Sequence, residues 1–316
     1  MDLLGKRRVM LGTSLLLMSL MSAIAQTPAS NGQTAATPAT AQGTGPQSPA
    51  RRGPAAFDFA DNNGFTSLFD GSLKGWDFDK GLWDIQDGAI HIAATCEKPT
   101  GTVYAITDTG EYGDFILKYE MKGTGNINGG MQFRSYIAAD PAAAGTRFPA
   151  RQRPAGGVPP SGFTGQAGTS MAPGRPPACA NPGIAPTRAS QAKWDMAGPQ
   201  VDFDRNNNFS GMNYEQGGRG IIARPGYALY ADSDGVKSLA QIATKDVLDS
   251  WFHKDDWNQF VVVALGHSTS IFLNGHMVTQ MIDNDSRFFR SSGKIGIESE
   301  ATGDLWVRAV SVKKLN

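Results

Sequence analysis

Residues 193–220 read KWDMAGPQVDFDRNNNFSGMNYEQGGRG. Gln200, Asp202 and Asp204 alternate with Val201 and Phe203, the spacing of a β-strand whose successive side chains point to opposite faces. One face is then polar and the other apolar, as in a strand that floors a polar cleft over a packed core. A turn-rich run, Arg205 to Asn208, follows, and a second short strand carries Tyr214 and Glu215 towards Arg219. From the pattern alone, a functional face and a merely solvated one are equally good readings.

The same period recurs on both sides. Trp83 and Ile85 alternate into Asp87-Gly88, and Ile90 and Ile92 follow, which predicts a hairpin with an Asp-Gly turn. A second hairpin is predicted at Ser270–Leu273, Asn274-Gly275 and His276–Val278. Further strands are expected at 103–106, 115–121, 131–136, 227–230, 259–264, 293–300 and 305–312. With 38 glycines, 18 prolines and no long helical pattern, the chain reads as all-β, a two-sheet antiparallel jelly-roll sandwich.

Three flanking regions have another character. Residues 1–25 read as an export signal: Lys6, Arg7 and Arg8, an apolar run from Val9 to Met21, then Ala23-Ile24-Ala25. The expected location is periplasmic or secreted. Residues 26–56 are rich in Ala, Thr, Pro and Gln and read as a disordered linker. The folded domain is expected at 57–316, interrupted at about 138–192 by a Pro/Gly/Ala-rich insertion, either disordered or a lid over the site. Cys96 and Cys179 either form one disulfide in an oxidising compartment or stay as free thiols.

The 29 basic and 29 acidic residues balance to zero net charge, which gives no basic stripe for nucleic acid and no reason for membrane binding beyond export. No Cys/His cluster suggests zinc. Asp202, Asp204, Asn206 and Asn208 offer oxygen ligands for calcium, without the glycine and glutamate of an EF-hand loop.

Phe65-Thr66-Ser67-Leu68-Phe69-Asp70-Gly71 with Gly75-Trp76 is similar to the opening motif of the 3-keto-disaccharide hydrolase family. Trp83–Gly88, Asp114–Glu120, Asn128–Arg134, Gly198–Asp202, Trp257-Asn258, Leu273–Gly275, Gly293–Ile297 and Arg308 resemble its later motifs, in order, over Phe65 to Leu315. The resemblance implies a concanavalin A-like fold with the Asp202 face lining its concave sheet. It also implies an oxidised sugar as substrate, a glycoside with a ketone at carbon 3. That ketone acidifies the carbon-2 hydrogen, so the reaction needs an acid/base pair and donors for the enolate.

Asp202 and Glu215, carried over by position, and Glu300, by its residue type, are the catalytic candidates. Asn128, Arg134, Gln200, Tyr214 and Arg219 are the substrate-binding ones, and His253, beside two tryptophans, joins them. The family's Gln-x-His or Gln-x-Glu is here Glu298-Ser299-Glu300, which removes a histidine base at that point. Glucanase chemistry on the same fold needs a nucleophile where Gln200 stands. The rival reading is a non-catalytic carbohydrate-binding module that uses Trp76, Trp194, Trp251 or Trp257.

Overall fold

A computed structural model describes residues 57–95, 98, 100–139 and 193–315. The export signal, the linker, most of the insertion and both cysteines lie outside the described residues.

Among the described residues, seventeen strands form two sheets, accompanied by one short helix. The first sheet contains β1 (Thr66–Ser67), β3 (Trp83–Gln86), β4 (Ala89–Ala94), β6 (Phe115–Gly123), β11 (Tyr227–Asp232), β12 (Gly235–Gln241), β13 (Asn258–Leu265), β14 (Ser268–Leu273), β15 (His276–Asp283) and β17 (Gly303–Lys314). Its order is β12-β11-β15-β14-β13-β6-β17-β4-β3, with β1 on β17. The second sheet contains β2 (Trp76–Phe78), β5 (Val103–Thr107), β7 (Asn128–Ile137), β8 (Met196–Asp204), β9 (Asn213–Gln216), β10 (Gly220–Ala223) and β16 (Lys294–Glu300). Its order is β10-β9-β8-β7-β16-β5-β2.

The sheets are joined by their apolar faces. Leu117, Tyr119, Phe260 and Val262 from the first share one core with Met131, Val201, Phe203 and Ile297 from the second. Phe203 meets Phe260 edge-on at 6.3 Å, and Phe115 meets Phe133 at 6.4 Å. The fold is a two-sheet, antiparallel-dominated jelly roll. Its two anticipated hairpins are present. Asp87-Gly88 and Asn274-Gly275 take left-handed φ of 52° and 72°, and 48° and 84°, which a two-residue turn between twisted strands requires. In the Leu68–Trp76 segment, Trp76 Nε1 donates to the Leu68 carbonyl at 2.9 Å, which pins that loop to the sandwich.

Three features depart from the sequence reading. The helix α1 (Lys245–Trp251) contributes Leu248 to the core. A β11–β12 hairpin extends the first sheet where only the start of β11 was expected, and β10 continues the second beyond β9. β11 runs parallel to β15. β14 and β15 form a hairpin that leaves one edge of β15 open. The chain leaves β10 in the second sheet and reaches that edge through Gly226, whose N–H bonds to the Val278 carbonyl at 2.6 Å. It therefore enters from the end at which a parallel strand must start.

Candidate functional site

Residues paired directly across an antiparallel ladder put their side chains on the same face. On the outer face of the second sheet, away from the core, this builds two rows. In one, Asp202 of β8 pairs with Gly130 of β7, which pairs with Glu298 of β16, which pairs with Tyr104 of β5. In the next, Asp204 pairs with Asn128 and Asn128 with Glu300. Gly130 has no side chain, so none stands on β7 between Asp202 and Glu298, which lie two strand spacings apart, roughly 10 Å. Gly130 cannot easily be anything else. A Cβ there would meet the Val201 carbonyl oxygen at 2.5 Å.

Hydrogen bonds organise the rows. Gln200 Nε2 donates to Asp202 Oδ1 at 2.7 Å. Tyr104 donates its hydroxyl to Glu298 Oε1 at 3.1 Å, and Thr102 donates to Glu300 Oε2 at 3.2 Å. Asp202 and Glu298 are buried, whereas Glu300 and Asn128 are half-exposed. Burial pushes the Asp202 carboxyl well above the usual carboxylate range. The negative charge of Glu298, then of Glu300 and Asp204, adds to this, and the Gln200 hydrogen bond pulls against it. Burial and Glu298 raise the Tyr104 phenol in the same way. The face therefore holds a carboxyl that favours its protonated form beside a more accessible carboxylate, an arrangement suited to acid/base work.

The structure brings together Asn128, Gln200, Asp202, Tyr214 and Glu300. Tyr214 pairs with Gln200 and so shares its face. It does not bring in Glu215, Arg134, Arg219 or His253. Glu215 pairs with Pro199, one residue out of phase with Gln200, and points to the inner side of the sheet. There Arg219 clamps it, with Nε to Oε2 at 2.9 Å and Nη2 to Oε1 at 2.7 Å, and also binds Asp283 through Nη1 at 3.0 Å. Burial pushes the Glu215 carboxyl up and the Arg219 hydrogen bonds hold it back. Burial works against the Arg219 charge, but its bonds to Asp283 and Glu215 outweigh it and hold the guanidinium above its ordinary value. The cavity beside this cluster measures about 30 Å³ and is lined by Arg134, Asn213, Glu215, Asp283 and Arg290 among others. That is room for a water or two, not for a sugar.

Arg134 leaves the site because β7 is irregular. Its φ is +44°, and the pairing register shifts between Gln132 and Tyr136. A bulge of this kind inverts the alternation beyond it. Ser135 therefore follows Gln132 on the outer face, while Arg134 turns away to the Gly113 and Gly266 carbonyls and Asp114, at 2.9, 2.8 and 2.7 Å. His253 is exposed in the loop after α1, its ring Nδ1 3.2 Å from the Trp257 carbonyl. Its backbone N–H donates to Asn258 Oδ1, and Asn274 Nδ2 binds the same oxygen. Asn258 and Asn274, both in family-like motifs, thus fasten this end of the sandwich.

Of the calcium candidates, Asp202 sits in the Gly130 row and Asp204 caps the turn that follows it. Asp204 spends both carboxylate oxygens on the Asn206 and Asn208 backbone N–H groups, each at 2.9 Å. Among the described residues, no three His, Cys, Asp or Glu side chains gather to hold a metal ion. The tryptophans are also engaged. Trp76 is core, Trp194 is buried and donates to Asp77, Trp251 stacks on His276, and Arg308 lies 3.9 Å over Trp257. Tyr104, Gln132 and Glu298 are site residues that the sequence reading did not select. Each alternates with core residues of its own strand, the same signal that exposed Asp202.

A protein-family model described as the 3-keto-alpha-glucoside-1,2-lyase-like domain matches residues 64–313. The chain belongs to this family. Membership makes it a carbohydrate-active jelly-roll protein, and the matched span holds every residue of both rows. Among solved structures, this lyase-like domain is similar to a putative glycosyl hydrolase from Parabacteroides distasonis ATCC 8503. That pair is 14% identical, covers 80% of this chain and 95% of the other, and has a TM-score of 0.42. It is also similar to the carbohydrate-binding module CBM66 from Bacillus subtilis (13%, 76% and 96%, 0.40). A Bacillus licheniformis beta-glucanase gives 9%, 80% and 97%, and 0.38. No curated protein matches the sequence.

Proposed function

We propose that this protein is an exported enzyme that cleaves 3-keto-glycosides, 3-keto-disaccharides among them, by elimination and hydration. Glu300, the accessible carboxylate, removes the proton from carbon 2. The electron pair moves into the carbon 2–carbon 3 bond as the ketone becomes an enolate, and the Asn128 carboxamide donates to its oxygen. The enolate then expels the aglycone from carbon 1, and Asp202 gives its proton to the leaving oxygen. Water adds to carbon 1 of the resulting enone and a proton returns to carbon 2. The sum is glycoside plus water to keto sugar plus alcohol.

The observation that carries this reading is the pair of neighbouring rows that holds Asp202 and Glu298 in one and Glu300 in the next, with the Asp202 carboxyl displaced towards its protonated form, inside a chain of the lyase-like family. General acid/base groups work best when their pKa lies near the working pH, and burial beside like charge moves a carboxyl in that direction. Gln200, Tyr214 and Tyr104 would line the substrate.

The test follows aglycone release from a 3-keto-glucoside and from the same glucoside unoxidised. Release only from the ketone is expected. Release only from the unoxidised sugar would mean ordinary glycosidase chemistry, and release from neither would leave a carbohydrate-binding module. Export rests on residues 1–25. Its test is the N-terminal sequence of protein recovered from outside the cytoplasm, where a start just after Ala25 is expected and an intact Met1 would refute cleavage.

A further inference from the structure

Behind Asp202 runs a chain of buried side chains whose hydrogen bonds all point one way. Ser135 Oγ donates to Gln132 Oε1 at 2.8 Å, Gln132 Nε2 donates to Gln200 Oε1, and Gln200 Nε2 donates to Asp202 Oδ1 at 2.7 Å. Ser135 and Gln132 are fully buried, and Gln200 is 2% exposed. We propose that Gln132 and Ser135 are positioning residues that orient and tune the Asp202 carboxyl through Gln200. This rests on the reading of Asp202 as the acid of the reaction.

Direction is what the chain imposes. A carboxamide has an acceptor on one side and a donor on the other, and in a dry site each must meet its complement. If Gln132 alone were turned over, its oxygen would face the Gln200 oxygen. In the structure the Ser135 hydroxyl donates to Gln132 Oε1, and with the first link so oriented the others follow. Ser135 Oγ also lies 3.0 Å from the Phe133 carbonyl and 3.1 Å from the Pro199 carbonyl, so its single proton is shared, with the Gln132 contact the shortest. The bulge at Arg134 makes the chain possible, because it turns Ser135 onto the face of Gln132. Gly198 leaves room for it. A Cβ there would lie 2.4 Å from Ser135 Oγ.

The consequence for Asp202 is specific. Oδ1 accepts the Gln200 amide N–H, which leaves Oδ2 to carry the transferable proton. The Gln200 bond also opposes the upward displacement caused by burial and by Glu298, Glu300 and Asp204. Those three carboxylates act on Asp202 directly, and burial, then Asp202 in turn, raises the Tyr119 phenol of the opposite sheet. Loss of order in the chain weakens the N–H···Oδ1 bond and lets Asp202 titrate higher.

The experiment compares wild type with Gln132→Met, which keeps the length and removes both hydrogen bonds. The Asp202 carboxyl is titrated by 13C NMR, its signal identified by its absence from Asp202→Asn, and kcat, KM and the pH profile are measured on a 3-keto-glucoside. The expected result is an Asp202 midpoint raised by about one pH unit, with the alkaline limb of activity moved alongside it. We expect kcat lowered about ten-fold with KM within about two-fold. A folded variant whose Asp202 midpoint does not move overturns the proposal. If Gln132→Met does not fold, Ser135→Ala removes only the first donor. A smaller shift in the same direction is then expected, and no shift overturns the proposal. A shifted midpoint in a protein that releases no aglycone even as wild type would uphold the positioning of Asp202 and refute the 3-keto-glycoside reading.

Discussion

Asp202 and Glu215 lie thirteen positions apart in one stretch of chain, both buried, both raised by burial, and they do opposite things. Asp202 faces outward across Gly130 towards Glu298, with Gln200 donating an amide N–H to it. Glu215 faces inward and is locked to Arg219, which is locked to Asp283. The first carboxyl is left with a proton to exchange. The second is neutralised by a partner that never gives up its charge. The proposed function puts the chemistry on the first and leaves strength to the second, and what separates them is a single residue of register between β8 and β9.

Substitution can break that comparison. Asp202→Asn should lower kcat on a 3-keto-glucoside by about 10²–10⁴-fold, the usual contribution of a general acid, with substrate binding retained by calorimetry. Glu215→Ala should do the reverse. Breaking a buried pair from one side costs up to about 3–5 kcal/mol of stability, towards the lower end here because Arg219 keeps Asp283, measured by urea unfolding, while activity per folded molecule stays within a few-fold. If Glu215→Ala instead lost activity at full stability, the division of labour between the faces would be wrong.

Two smaller effects sharpen it. Gly130→Ala narrows the floor between Asp202 and Glu298 and presses on the Val201 carbonyl. It should cost about 1–3 kcal/mol and reduce activity more than its stability loss explains, as seen by assaying at a temperature where the variant is fully folded. The pH dependence of stability follows from the raised Asp202. Its folded pKa lies above the unfolded value, so its contribution is fully present below the unfolded pKa, near 4, and is lost as pH rises through the folded pKa. Across that window one proton gives a slope of about 1.4 kcal/mol per pH unit. Asp202→Asn should remove this slope and be the more stable protein at neutral pH. Parallel stability curves for wild type and variant would contradict the raised pKa.

Much of this was legible in the chain, and the failures have physical causes. The alternation of Gln200, Val201, Asp202 and Phe203 gave the correct face for β8, and Asp-Gly and Asn-Gly marked two hairpins. β9 could not be read in this way. Asn213, Tyr214, Glu215 and Gln216 are polar in both phases, so period two does not say which side faces the core, and only the pairing of Pro199 with Glu215 does. Arg134 shares the parity of Gln132 in the sequence, and the left-handed bulge cancels it. β12 is half-exposed to exposed along its whole length, which erases the alternation that marks buried strands. Glu298 was readable beside Ile295 and Ile297 but was overshadowed by Glu300.

The central claim is that carbon 2 is deprotonated on the Asp202 face. Running the reaction on a 3-keto-glucoside in D2O, with Asp202→Asn and enzyme-free controls, and reading the product by NMR tests it directly. The account predicts deuterium at carbon 2 of the released keto sugar, at the rate of aglycone release and only with the active enzyme. Aglycone release with the original hydrogen still on carbon 2 would contradict it.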